Sequence, residues 1–144
     1  MRGTGYNVIA RNTIDNNQNG IWFGFLSPSD NGAYNHDVTG NTIVNNSYAG
    51  IRISPHSTDN RMSMNHFAGN ASNVISEGTE WSTATPLSYF YATNHRNQLG
   101  NYYDTYTGAD TDGDGVGDTD LPFIDGDPDH GPVEYRNIVI TPVK

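Results

Sequence analysis

Residues 110 to 118 read Asp-Thr-Asp-Gly-Asp-Gly-Val-Gly-Asp, a spacing suited to holding a hard cation through oxygen. Calcium takes about six to eight oxygen ligands. A loop supplies them with carboxylates at positions 1, 3, 5 and 9, a backbone carbonyl at 7 and glycine at 6 for the turn. Counting from Asp110 puts Asp112 at 3, Asp114 at 5, Gly115 at 6, Val116 at 7 and Asp118 at 9. Position 12 departs from that schedule: Leu121 stands there and Pro122 follows, which excludes a helix leaving the loop. The remaining ligand must come from elsewhere. Asp120 is nearest, and Asp125, Asp127 and Asp129 form a second reservoir. The expected metal set is Asp110, Asp112, Asp114, the Val116 carbonyl, Asp118 and Asp120, with calcium as the ion.

The distribution of charge agrees. The 144-residue chain has a formal net charge of −9. Nine Asp and no Lys or Arg lie between Asp104 and Asp129, whereas seven acidic and seven basic residues balance elsewhere. A bound cation removes the repulsion that such a segment suffers when compact. The same balance excludes a nucleic-acid partner, because phosphate binding needs clustered Lys and Arg, and Lys144 is the only lysine. Cysteine is absent, so there is no disulfide or thiolate metal site. No apolar run approaches the length of about 18 residues that a membrane span needs.

Other chemistry finds less support. A lyase of acidic polysaccharides needs a base, and Arg52, between Ile51 and Ile53, and Arg61 are the isolated candidates. A glycoside hydrolase needs two carboxylic acids about 5 to 9.5 Å apart. Outside the acidic segment only Asp15, Asp30, Asp37, Asp59, Glu77, Glu80 and Glu134 are available, without a repeated pairing. No catalytic set is assigned. The five histidines also show no pair at metal-ligand spacing.

The elements that carry these residues follow from a repeat. Asn12, Asn41 and Asn65, separated by 29 and 24 residues, align three related stretches. The alignment matches Ile14, Ile43 and Phe67; Asn17, Asn46 and Asn70; Ile9, Val38 and Met62; and Ile21, Ile51 and Val74. Each unit alternates apolar and polar residues in short runs broken by Asn and Gly, the pattern of short strands joined by tight turns. One unit cannot bury its own apolar positions, whereas stacked units form a continuous column. The expected fold is all-β, a right-handed parallel β-helix of about three coils. Stacked Asn amides would bond to the copies above and below and tolerate left-handed turn conformations.

The wider spacing of the first two anchors implies an insertion at residues 27 to 36. After about residue 75 the repeat fades. Trp81, Tyr89, Phe90, Tyr91, Tyr102, Tyr103 and Tyr106 then read as a cap over the last coil or as faces for stacking on sugar rings. The expected division is residues 1 to 80 as coils and 81 to 144 as a capping segment. The cap contains the calcium loop at 110 to 120 and packs with the coils as one unit. An open N-terminal strand edge is expected to be covered by more of a longer chain or by self-association.

The stretches "NTIDNNQNGIWF" and "NTIVNNSYAGIRI" resemble repeats of NosD-like right-handed β-helix proteins, a group described as periplasmic copper-binding accessory proteins. The tail from "LGNYYDTYTG" to "DHGPV" is similar to the ending of archaeal cell-surface members, departing from their Asp-x-Tyr-Pro-Leu close at Gly131 and Val133. The resemblance covers about residues 5 to 133, and "EYRNIVITPVK" reads as one further strand. It implies the fold and calcium. Copper does not carry over, because Met62 falls in an apolar slot of the repeat and neither clustered Met nor Cys is present. The expected role is an extracellular or cell-surface, alternatively periplasmic, calcium-stabilised module for adhesion, scaffolding or binding of a polysaccharide or surface glycan. A fragment of a β-helix polysaccharide lyase or glycoside hydrolase is the alternative.

Overall fold

The computed structural model describes residues 5–24, 32–75, 79–118, 121–122 and 134–135, and every regular element among them is a strand. Three strands, β1 (Val8–Ala10), β2 (Thr13–Asp15) and β3 (Asn19–Phe23), set an order that the chain repeats. The second pass is β4 (Asp37–Thr39), β5 (Thr42–Val44) and β6 (Ala49–Ile53); the third is β7 (Asn60–Ser63), β8 (His66–Ala68) and β9 (Val74–Ile75). Then come β10 (Thr79–Glu80), β11 (Leu87–Tyr91), β12 (Thr93–Asn97), β13 (Tyr102–Tyr103), β14 (Leu121–Pro122) and β15 (Glu134–Tyr135).

Three sheets result, with strand orders β1-β4-β7-β10, β2-β5-β8-β13 and β3-β6-β9, all parallel. The chain moves from the first sheet to the second and third, then re-enters the first one strand along. That topology is compatible with a parallel β-helix. Two antiparallel pairs, β11 with β12 and β14 with β15, stand outside it. Within the stretch 134 to 144, which reads as one strand in the sequence, Glu134–Tyr135 is strand and the rest lies outside the described residues.

The register agrees with the repeat alignment. Ile9 pairs with Val38 and Val38 with Met62; Ile14 pairs with Ile43 and Ile43 with Phe67; Ile21 pairs with Ile51 and Ile51 with Val74. These columns meet in one core, where Val38, Ile43, Ile51, Met62 and Phe67 are all 0% exposed. Each such side chain contributes about 1.5–3 kcal/mol, so the inner face is what holds the short strands together.

Three polar ladders run along the corners. Asn12 donates its backbone N–H and its amide to Asn41 Oδ1 (3.0 and 3.1 Å), and Asn41 does the same to Asn65 Oδ1 (3.0 and 2.9 Å). Asn17, Asn46 and Asn70 form a second series, and Asn7, His36 and Asn60 a third. The left-handed turn residue is not the ladder Asn, contrary to the expectation above, but the residue before it. Tyr6, Asn35 and Asp59, Arg11, Gly40 and Met64, and Asn16, Asn45 and Gly69 all have φ between 54° and 64°. The positive φ turns the chain at the corner, and the following Asn, back on the ladder, aims its amide along the stack.

The repeat also continues further than its spacing suggests. Asn101 accepts from Asn65 N and Nδ2 (3.0 and 2.8 Å), while Tyr102 pairs with His66 and Tyr103 with Phe67. "GNYY" at 100 to 103 thus occupies the place of "GNTI" at 40 to 43. The interval of 36 from Asn65 to Asn101 includes the β11–β12 hairpin, which hides the match.

Candidate metal centre

Asp110, Asp112 and Asp114 each bring a carboxylate oxygen to within 4.8 Å of the others. Backbone N–H groups orient them. Asp110 Oδ1 accepts from Gly113 N (2.8 Å) and Asp114 N (3.0 Å), and Asp110 Oδ2 accepts from Gly115 N (3.0 Å). Asp112 Oδ1 accepts from Asp114 N (3.2 Å), and Asp114 Oδ1 from Val116 N (2.7 Å). This tight wrapping needs left-handed backbone at Gly113 (φ 73°) and Gly115 (φ 84°), which glycine adopts at little steric cost.

The hairpin fixes the loop from one side. Tyr89 on β11 donates its hydroxyl to the Asp114 carbonyl (2.8 Å), and Asn97 on β12 donates its amide to Asp114 Oδ2 (3.0 Å). Gly115 lies against the Tyr91 ring, where a Cβ would come within 2.8 Å of Cγ. Val116 is buried with Leu99, and Met64 and Tyr89 pack on that pair. Position 7 of the loop is therefore anchored through its side chain, which sets the course of its backbone. Burial, reinforced by the Asp114 carboxylate, pushes the Tyr89 phenol up to about 12.

Asp118 closes the loop in another way. Its N–H donates to the Ala109 carbonyl (2.9 Å), and its Oδ2 accepts from both the hydroxyl and the N–H of Thr111. The Thr111 hydroxyl, followed by the Thr111 N–H, holds the Asp118 carboxyl below the usual carboxylate range. The structure thus clusters Asp110, Asp112 and Asp114 and turns Asp118 toward Thr111. Asp120, Asp125, Asp127 and Asp129 lie outside the described residues. Residues 27 to 31 of the insertion expected at 27 to 36 lie outside them as well.

The spacing of the loop revealed the triad but not Tyr89 and Asn97, which sit 25 and 17 residues from Asp114. Their only trace in the sequence is an aromatic and polar segment ahead of the loop. The capping aromatics divide by position: Trp81 and Tyr103 enter the main core, Tyr103 stacks on Phe67 (5.2 Å), and Phe90 is exposed.

Three of the described histidines serve structural contacts. His36, buried on the Phe23 ring, accepts from Asn7 N through Nδ1; His66 meets Tyr102 edge-on; His95 Nε2 contacts the Tyr91 carbonyl and Thr93. The Asp triad is the one group of three or more His, Cys, Asp or Glu residues with metal-ligand proximity among the described residues.

A family model described as periplasmic copper-binding protein (NosD) matches residues 1–108. The chain belongs to the NosD family. The matched span contains all three parallel sheets and stops just before Asp110, so the acidic loop lies beyond the part that the NosD model covers. No curated protein and no solved structure matches the chain.

Proposed function

We propose that this NosD-family chain is a non-catalytic module acting outside the cytoplasm. In this reading it is a right-handed parallel β-helix of about three coils, stapled by calcium at the Asp110–Asp118 loop, and it serves adhesion, scaffolding or carbohydrate binding. The observation that carries the metal assignment is the convergence of Asp110, Asp112 and Asp114 within 4.8 Å on a loop already held by its own N–H groups and by the hairpin. Three carboxylates so close repel one another, and a divalent cation reverses the sign of that interaction. The Val116 carbonyl, Asp118 and Asp120 complete the proposed set, with Asp125, Asp127 and Asp129 as further donors.

Copper, named in the family's description, fits these residues poorly. The triad offers hard carboxylate oxygens, whereas copper favours imidazole and sulfur. Met62 is fully buried in the core and Met64 packs on Leu99 and Val116. Calcium is the better match, at the millimolar levels found outside cells.

The remaining carboxylates support a structural rather than catalytic reading. Asp15 accepts from Asn45, Asp37 pairs with Arg61 (3.7 Å), Asp59 accepts from Thr58, and Asp104 accepts from Gly69 N and Asn73. Each of these four described carboxylates has a structural contact. Calorimetry and thermal melts test the proposal: calcium should bind and raise the Tm, and chelation should lower it. An unchanged melt with no binding heat defeats the calcium assignment. Release of unsaturated sugar from a polyuronate panel would replace the module reading with the lyase alternative.

A further inference from the structure

On the outer face of the third sheet, Trp22 and Arg52 are register partners on the adjacent parallel strands β3 and β6. Their neighbours Ile21, Phe23, Ile51 and Ile53 are buried, which directs these two side chains outward. Trp22 is 57% exposed, and Tyr48, just before β6, is 46% exposed. The Arg52 guanidinium carbon lies 5.1 Å from the Trp22 ring centroid and 5.6 Å from that of Tyr48. Arg61 has a carboxylate partner in Asp37, whereas the Arg52 guanidinium has neither an ion pair nor a hydrogen bond to any described residue. Gly24 lies against the edge of the indole, where a Cβ would approach Cε2 to 3.0 Å.

We infer that Trp22, Tyr48 and Arg52 form a binding site for a uronate-bearing oligosaccharide. The two rings hold the guanidinium by cation–π attraction and so restrict its orientation before any ligand arrives. Its N–H donors remain for a planar anion, and a carboxylate accepts two of them in parallel. A ligand that uses the whole platform needs an anionic group beside a flat, C–H-rich face that stacks on the exposed aromatic surface. A pyranose bearing a carboxylate has both. An acidic peptide satisfies the cation and leaves the rings unused, and nucleic acid is opposed by the net charge of −9. The inference deepens the carbohydrate-binding part of the proposed function, on which it rests, and is independent of the metal loop.

The test uses the full chain with digalacturonate, its methyl ester and polyglutamate, followed by calorimetry and tryptophan emission. Trp81 is buried, so an emission change on binding reports Trp22. Digalacturonate is expected to bind and shift the emission. The ester, Arg52→Gln and Trp22→Ala should each weaken binding at least about tenfold, and Arg52→Lys should fall between. Arg11→Gln, at an exposed corner, should leave binding unchanged, and melting curves of all variants check folding. Equal binding by acid and ester, or by wild type and Arg52→Gln, overturns the site while leaving a glycan-binding module standing. Polyglutamate competing as well as the sugar makes the site a general anion site and overturns the saccharide assignment. Failure of the wild type to bind any glycan overturns both the site and the carbohydrate part of the proposed function.

Discussion

Gly113 and Gly115 share a left-handed backbone but differ in what surrounds them: open space at Gly113 and the Tyr91 ring at Gly115. Gly113→Ala is expected to cost about 1 kcal/mol and Gly115→Ala at least about 2 kcal/mol in urea unfolding, because only the second also displaces a ring. Equal losses would show that the Tyr91 contact is unimportant. The approach of Asp110, Asp112 and Asp114 and the turn at Gly115 were legible in the sequence because both follow from spacing along one loop. The direction of Asp118 was not: its rotamer is decided by a local competitor, Thr111, whose hydroxyl and N–H it accepts. Nor were Tyr89 and Asn97, since contact across a fold leaves no fixed interval. Asn97→Ala is expected to weaken calcium binding about tenfold while changing the melt of the calcium-free protein little, a comparison made by calorimetry beside scanning calorimetry.

At the level of elements, stability is divided between apolar columns and amide ladders, and the ladder positions are unequal. Asn65 is buried, accepts from Asn41 N and Nδ2, and donates to the Val38 carbonyl (2.8 Å) and Asn101 (2.8 Å). Asn65→Leu is expected to cost about 3 kcal/mol or more through stranded buried polar groups. Asn12→Leu, at an exposed position, should cost less than about 1 kcal/mol by the same chemical-denaturation assay. Strand register was readable because apolar residues recur with matching polar punctuation. The fourth position of this ladder, Asn101, escaped because a hairpin interrupts the interval and because Tyr102 and Tyr103 replace Thr42 and Ile43. Aromatic rings fill the same inward slot as an aliphatic chain, so sequence similarity is lost where structural equivalence persists.

For the whole molecule, the net charge is segregated along the chain. Nine Asp lie in the 26 residues from Asp104 to Asp129, while acidic and basic residues balance elsewhere. Raising salt from about 0.01 to 0.1 M shortens the screening length from about 30 to 10 Å. The Tm of the chelated protein should therefore rise with salt, and that of the calcium-loaded protein should respond less; parallel thermal melts decide it. The ladders impose a second asymmetry along the stack. In the series Asn12, Asn41, Asn65 and Asn101, every step passes hydrogen from the earlier residue to the later oxygen, so the amide dipoles add head to tail. Its two termini then speak different chemical languages. Asn101 closes its end by donating to the carbonyls of Met62 and Trp81, whereas the Asn12 oxygen accepts from no described residue. The ladder therefore presents an open acceptor at its β2 edge and ends in donors already committed to backbone carbonyls at the other.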